Sequence, residues 1–418
     1  MTDFELRIRI APSLADVSTH AWNMCAGEIV ATVAQPKPEL KSTAVDNLSP
    51  TLSTRGNIPN PFVSHEFLFS LERSGSVGGR TGWQPKHLLA EDGTGELQGV
   101  VPCYVKTHSR GEYVFDHSWA EAFERAGGDY YPKLQVAVPF TPVTGPRLLA
   151  RTGLQSEAVR GALADALVEI TTANELSSAH VTFLPKNEWQ ALGERNFLRR
   201  TDQQFHWENA DYNSFDDFLA ALASRKRKTI RRERKEALSS GIEVCWLTGA
   251  DLTESVWDAF FTFYMETGSR KWGRPYLTRE FFSIVGDKMR DRILLVMARR
   301  NGRWIAGAIN FIGADALYGR NWGAIEHHPF LHFELCYYQA IEYAIAHRLR
   351  RVEAGAQGEH KLARGYLPYT TYSAHFIANP GLRRAIADYL ARERVYVQAA
   401  AEELAAAAPF RKDLVEQD

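Results

Sequence analysis

The chain has 418 residues, 45% of them hydrophobic and 24% charged, and a net charge of −1 at pH 7. This length exceeds one typical core, so a globular protein of two domains is expected. No apolar run approaches the roughly 18 residues of a membrane span, and the balanced charge confines any polyanion site to a local patch.

Residues 1–10 alternate like a strand and lack the basic start and apolar block of a secretion signal. The next segment, 15–33, reads as a modestly amphipathic helix, and 34–61, rich in Pro, Ser, Thr and Asn, as a loop or insertion. A helix over 62–71 takes Ser64 as its N-cap. The glycines of 75–82 form a connection. Neither a preceding strand nor a Gly-Lys-Ser/Thr ending makes them a phosphate loop. Alternating runs at 86–91 and 96–106 form a hairpin around Asp92-Gly-Thr-Gly95, followed by a third strand over 113–116. Helices at 118–126 and 155–173 bracket a strand at 134–138, and the three prolines of 139–147 stiffen the loop between them. Strands at 179–184 and 199–207 enclose a short helix at 188–192.

Ser214, with Asp216 and Asp217 behind it, starts a helix that continues through a basic run to Leu238. A strand at 242–247 and helices at 252–267 and 278–289 follow. The hairpin pattern then returns, with strands at 293–299 and 304–312 joined at Asn301-Gly302, and a further strand at 316–322. The segment 326–336 leads into a helix reaching His347, with strands at 349–352 and 371–378 and an alanine-rich helix at 381–407. Cys25, Cys103, Cys245 and Cys336 stand apart among apolar neighbours, as buried thiols of a reducing cytoplasm would.

Two segments repeat. Phe62-Val-Ser-His-Glu-Phe67 matches Tyr276-Leu-Thr-Arg-Glu-Phe281, and the hairpin at 93–99 matches that at 302–307. A duplicated unit of mixed sheet and helices is the expected architecture. It divides into an N-terminal domain, 1–208, and a C-terminal domain, 209–418, which holds the basic helix 224–238 and the helix 381–407.

Three blocks in the second half carry a resemblance: Arg320-Asn-Trp-Gly323, His332-Phe-Glu-Leu-Cys-Tyr-Tyr-Gln339, and Glu353-Ala-Gly-Ala-Gln-Gly-Glu-His-Lys361 with Arg364-Gly365. Pro139-Phe-Thr-Pro-Val-Thr-Gly145 supports them in the first half. The chain resembles the FemAB-like family, bacterial relatives of the peptidyltransferases that add amino acids to peptidoglycan precursors. The resemblance implies an α/β (α+β) fold of two tandem acetyltransferase-like (GNAT-like) domains, each a mixed, largely antiparallel sheet flanked by helices. It also implies an N-acyltransferase or aminoacyltransferase acting on an amine. The pyrophosphate loop of acetyltransferases has no good copy here, since Gly323-Ala-Ile-Glu-His-His328 stands in its place. The acyl donor therefore stays open between aminoacyl-tRNA and acyl-CoA, and no tightly bound cofactor is expected.

Acyl transfer needs a base for the attacking nitrogen, donors for the oxyanion and a grip on the leaving group. Glu353, Glu359, Glu326, Glu334 and His360 are possible bases. Lys361 and Arg364 suit negative charge, and replacing either by alanine is expected to abolish transfer in a folded protein. Catalysis is assigned to Glu353, His360, Lys361, Arg364 and Glu334. Substrate binding is assigned to Gly355, Gln357, Gly358, Glu359, Trp322, His332 and Tyr338. Eight Lys or Arg between Arg225 and Lys235 face only Glu233 and Glu236, so Arg225, Lys228, Arg231 and Arg232 are assigned to phosphate. The histidines at 327, 328, 332 and 360 match no zinc motif, and no metal site is expected. The partners would be a small-molecule or lipid-linked amine, and tRNA or CoA at the basic helix. One alternative is a CoA-dependent N-acetyltransferase. Another is a non-catalytic protein docking RNA or anionic lipid through that helix.

Overall fold

The computed structural model describes residues 5–28, 58–272, 275–355 and 358–411. Most of the expected loop at 34–61, and Gln357, lie outside the described residues. The strands are β1 (Leu6–Ala11), β2 (Trp83–Pro85), β3 (His87–Asp92), β4 (Leu97–Val101), β5 (Cys103–Lys106), β6 (Lys133–Val136), β7 (Leu149–Ala150), β8 (Ser178–Leu184), β9 (Leu198–Glu208), β10 (Ile242–Leu247), β11 (Ile293–Arg300), β12 (Arg303–Ile312), β13 (Ala316–Ala324), β14 (Arg351–Glu353) and β15 (Leu367–Ile377). A four-stranded sheet runs β1-β3-β4-β7, and an eleven-stranded sheet runs β10-β11-β12-β13-β14-β9-β15-β8-β6-β5-β2. The fold is α/β, with largely antiparallel mixed sheets flanked by helices.

The large sheet has a two-fold pattern about its centre. There β9 and β15 pair antiparallel, from Leu367 opposite His206 to His375 opposite Leu198. On one side β14 joins β9 and runs parallel to β13. On the other side β8 joins β15 and runs parallel to β6. The closing strands interleave: β9, from the first half, lies between two strands of the second, and β15 lies between two of the first. One apolar cluster also unites the halves, packing Phe62, Phe67 and Trp83 with Phe260, Phe281 and Phe311.

The repeated segments fold alike. Ser64 accepts a hydrogen bond from Phe67 N and caps the helix His65–Arg73; Thr278 accepts one from Phe281 N and caps Arg279–Met289. Phe67 and Phe281 then meet edge to face, 5.8 Å between centroids.

Several expectations are corrected. The first helix, expected over 15–33, is Thr19–Cys25 among the described residues, preceded by a single 3₁₀ turn at Leu14–Asp16. The strand expected over 96–106 breaks at Pro102, which has no N–H for a ladder, and its two pieces enter different sheets. Residues 113–116 form no strand; Tyr113 has φ +60°, outside the extended region, and β5 pairs with β2 and β6 instead. The long basic helix is two helices, Phe215–Ala221 and Ser224–Ala237, because Leu222 takes an extended conformation and bridges to Phe410. Among the described residues no helix is long and apolar enough to cross a membrane.

A wedge opens where β13 and β14 part. They pair only from Ala316 opposite Arg351 to Tyr318 opposite Glu353, after which β13 continues to Ala324 against β12 alone. Gly323 sets how closely the helix Glu254–Trp272 lies on this strand: a Cβ there would sit 2.0 Å from Phe263 O and 2.8 Å from Tyr264 N. Both obstacles are main chain, so Gly323→Ala should cost about 3 kcal/mol, the upper end of overpacking. A lowered urea midpoint would show it, and an unchanged midpoint would refute the close contact.

The matching wedge in the first half is closed by its own chain. Past Val181, the edge of β8 is occupied by the proline-rich loop: Gly145 N donates to Phe183 O at 3.0 Å, and Arg147 Nε to Thr182 O at 2.9 Å. Arg147 is fully buried and also donates to the Val143, Gly145 and Pro146 carbonyls. Glu188, whose carboxyl burial raises to about 7, accepts from Arg147 N and Leu148 N. The stiff proline-rich loop is thus the plug of the first wedge.

Candidate active site

Glu353 ends β14 at the apex of the wedge between β13 and β14 and is 1% exposed. Its Oε1 accepts from Thr144 Oγ1 at 2.9 Å and from Arg351 Nε at 3.3 Å, so a first-half loop helps to hold it. Its Oε2 has no hydrogen-bond partner among the described residues and lies 3.9 Å from Arg320 Nη2. Across the sheet it faces His206, which stacks on Tyr369 and which burial keeps neutral, its pKa lowered to about 4.

Beyond Glu353 the chain turns. Gly355 has φ +81°, and a Cβ there would meet nothing within 4 Å. Lys361, 2% exposed, reaches back and donates to Ala354 O at 2.8 Å and Gly355 O at 2.9 Å. Burial lowers its pKa to about 8. Lys361 is therefore a clamp on the turn that follows Glu353. Gly358, at φ +110°, leaves room for the His360 ring, which would come within 2.4 Å of a Cβ. His360 is exposed and its Nε2 lies 3.0 Å from Tyr337 Oη. His332 packs 5.1 Å from the Trp322 ring and 6.4 Å from that of His360, so these three form one cluster.

Arg364 and Glu334 face the basic helix. Arg364 Nη2 donates to both oxygens of Glu233 at 2.9 Å, Nη1 donates to His360 O at 2.7 Å, and the guanidinium lies 3.5 Å from the Phe333 ring centroid. Tyr338 donates its hydroxyl to the same Glu233 carboxylate. Glu334 is fully buried and accepts from Arg234 Nε and Nη2 and from Gln339 Nε2. These contacts fasten the basic helix to the segment 331–346, which contains one π-helical turn, Glu334–Tyr338. Arg225, Lys228, Arg231 and Arg232 remain exposed on that helix, and Arg231 pairs with Asp216 at 2.9 Å. A groove of about 340 Å³ lies between Arg225, Lys226, Thr229 and Arg364.

The structure therefore brings Glu353, Gly355 and Lys361 together at the apex, and it gathers Trp322, His332 and His360 around Phe333 and Tyr337. It sets Glu334, Arg364 and Tyr338 apart, in the joint with the basic helix. Sequence reasoning missed Thr144, His206, Glu233 and Arg320 as members of this region. Arg320 and Thr144 were within reach, as members of quoted motifs; His206 and Glu233 meet the site only through tertiary packing.

A family profile described as FemAB-like, peptidoglycan biosynthesis/recognition, matches residues 14–412. The chain belongs to the FemAB-like family. No curated protein matches it. Solved structures that it resembles include FemX, at 12% identity over 77% of this chain and 93% of that one, with a TM-score of 0.48. Others are L-PGS from Bacillus licheniformis, at 8% over 79% and 97% with a TM-score of 0.47, and a tandem GNAT protein from the clavulanic acid biosynthesis pathway, at 13% over 90% and 99% with a TM-score of 0.42. The FemAB-like blocks at 320–323 and 353–365 border the open wedge, and the block at 139–145 supplies the first-half plug and Thr144.

Proposed function

We propose that this FemAB-like protein is an N-acyltransferase whose chemistry occurs in the second-half wedge, with the first half, 1–208, serving as a closed structural copy of 209–418. The observation that carries this reading is Glu353, a buried carboxylate at the wedge apex with one oxygen uncommitted. An amine approaching that oxygen loses a proton to it as its nitrogen bonds to the acyl carbon. The tetrahedral oxyanion is met by main-chain N–H at the Gly355 turn, which Lys361 holds in place. The bond from carbon to the donor's oxygen or sulfur then breaks, and the proton passes from Glu353 to that leaving group. Trp322, His332 and His360 line the acceptor side, while Arg364 and Glu334 position the basic helix.

The donor's phosphates meet Arg225, Lys228, Arg231 and Arg232. Aminoacyl-tRNA suits this surface better than CoA, because four exposed cations spread over two turns of helix match an extended backbone. The acceptor is an amine of a peptidoglycan precursor, free or lipid-linked, and the protein works in the cytoplasm, where its four thiols stay free. Filter binding of tRNA across 50 to 200 mM salt tests the donor. Changing the four cations to glutamine should flatten the log–log salt slope by about 3. An unchanged slope, with acetyl-CoA binding seen by calorimetry, would favour the CoA-dependent reaction.

A further inference from the structure

Arg320 stands on β13 two residues past Tyr318, the last residue paired with β14 on this face, so its side chain starts at the wedge apex. That side chain is only 5% exposed, and burial lowers its pKa to about 10. Nη1 donates to Gly319 O at 2.8 Å and to Glu353 O at 3.4 Å. The Phe62 and Tyr318 rings pack against the guanidinium at 4.8 and 5.4 Å. Nε and Nη2, which together form the side-on fork of the guanidinium, have no hydrogen-bond partner among the described residues. The nearest carboxylate oxygen, Glu353 Oε2, is equally uncommitted, and the 3.9 Å between it and Nη2 is too long for a hydrogen bond. Glu353 does not rotate to close that gap, because Thr144 and Arg351 hold its other oxygen.

A buried fork with two free donors beside a buried acceptor is a pair of half-sites of opposite sign. The geometry points to an α-amino carboxylate as the group these residues recognise. Its carboxylate accepts two parallel hydrogen bonds from Nε and Nη2 of Arg320, and its amine donates to Oε2 of Glu353. Both groups sit on one carbon of such a ligand, so each reaches its partner at normal hydrogen-bond length across a 3.9 Å gap. A phosphate would satisfy the fork but leave Oε2 facing a second anion, and a simple amine would leave the fork empty. This inference rests on the wedge being the transfer site, and it narrows the acceptor to an amine with a carboxylate on the same carbon.

Saturation-transfer NMR on the full wild-type chain tests it, with glycine, glycinamide and N-acetylglycine as probes and no acyl donor present. Glycine should bind at least tenfold more tightly than either blocked analogue, and Arg320→Lys, which keeps the charge but loses the fork, should lower glycine binding about tenfold. Equal binding of the three probes, or no glycine signal, would overturn the proposal and leave an ordered water as the occupant. The comparison among probes uses only wild-type protein, so it stands even if the variant folds poorly. Transfer to amines that lack an adjacent carboxylate would overturn the inference while leaving the acyltransferase reading intact. Glycine binding without any transfer would do the reverse.

Discussion

Glu353→Gln is expected to leave a folded protein whose acyl transfer is about 10²- to 10⁴-fold slower, the range for loss of a general base. The substitution keeps the shape of the side chain. A glutamine Oε1 still accepts from Thr144 and Arg351, and the new amide replaces the one oxygen that has no hydrogen-bond partner. Neutralising the carboxylate beside buried Arg320 should lower stability by roughly 1–3 kcal/mol, so the loss should appear in kcat measured well below the melting temperature, where the variant is still folded. Thr144→Ala supplies a graded comparison, because it frees Glu353 without neutralising it. It should slow transfer less than Glu353→Gln does. A Glu353→Gln protein with the wild-type rate would remove Glu353 from the chemistry.

Arg364→Ala is expected to destabilise the fold by about 3–5 kcal/mol, because it strands the Glu233 carboxylate in a buried site. Glu233 and Arg364 are each 6% exposed and share two hydrogen bonds of 2.9 Å. Truncation also removes the contact with Phe333 and the bond to His360 O. This differs from the expectation drawn from sequence, a folded variant without transfer. Urea denaturation should show a clear fall in midpoint, and combining Arg364→Met with Glu233→Gln should recover much of it, since no uncompensated charge then remains. If Arg364→Ala keeps the wild-type midpoint and loses only activity, Arg364 belongs to the chemistry and the structural role assigned to it is wrong.

Local signals in the sequence were legible wherever one short segment decides the outcome. Ser64 and Ser214 cap their helices as their positions suggest, and Thr278, which matches Ser64 in the repeat, does the same; Asn301-Gly302 turns β11 into β12. The repeat was legible for the same reason, since both copies keep the hydroxyl cap and the aromatic that follows it. What escaped was anything set by pairing across the halves. Nothing in residues 198–208 states that β9 will lie between β14 and β15, because any apolar alternating strand satisfies its own local pattern. Glu233 sits in a run of cations that reads as a solvated face, and only the packing against Arg364 and Tyr338 shows it to be buried. The thirteen-residue block from Glu353 to Gly365 stood out by composition, yet that Lys361 clamps the turn and Arg364 anchors the basic helix is visible only once their partners are known.

The proposed reaction forms an amide bond in the wedge. Its most direct test is mass spectrometry of peptidoglycan-precursor peptides after incubation with the wild-type protein and a pool of aminoacyl-tRNA, with acetyl-CoA run in parallel. The mass of the acceptor should rise by one aminoacyl residue, through an amide at a free amine, and no such product should form with Glu353→Gln. The proposed reaction would be contradicted if wild type and Glu353→Gln gave the same product yield, or if neither donor acylated any amine while the protein remained folded.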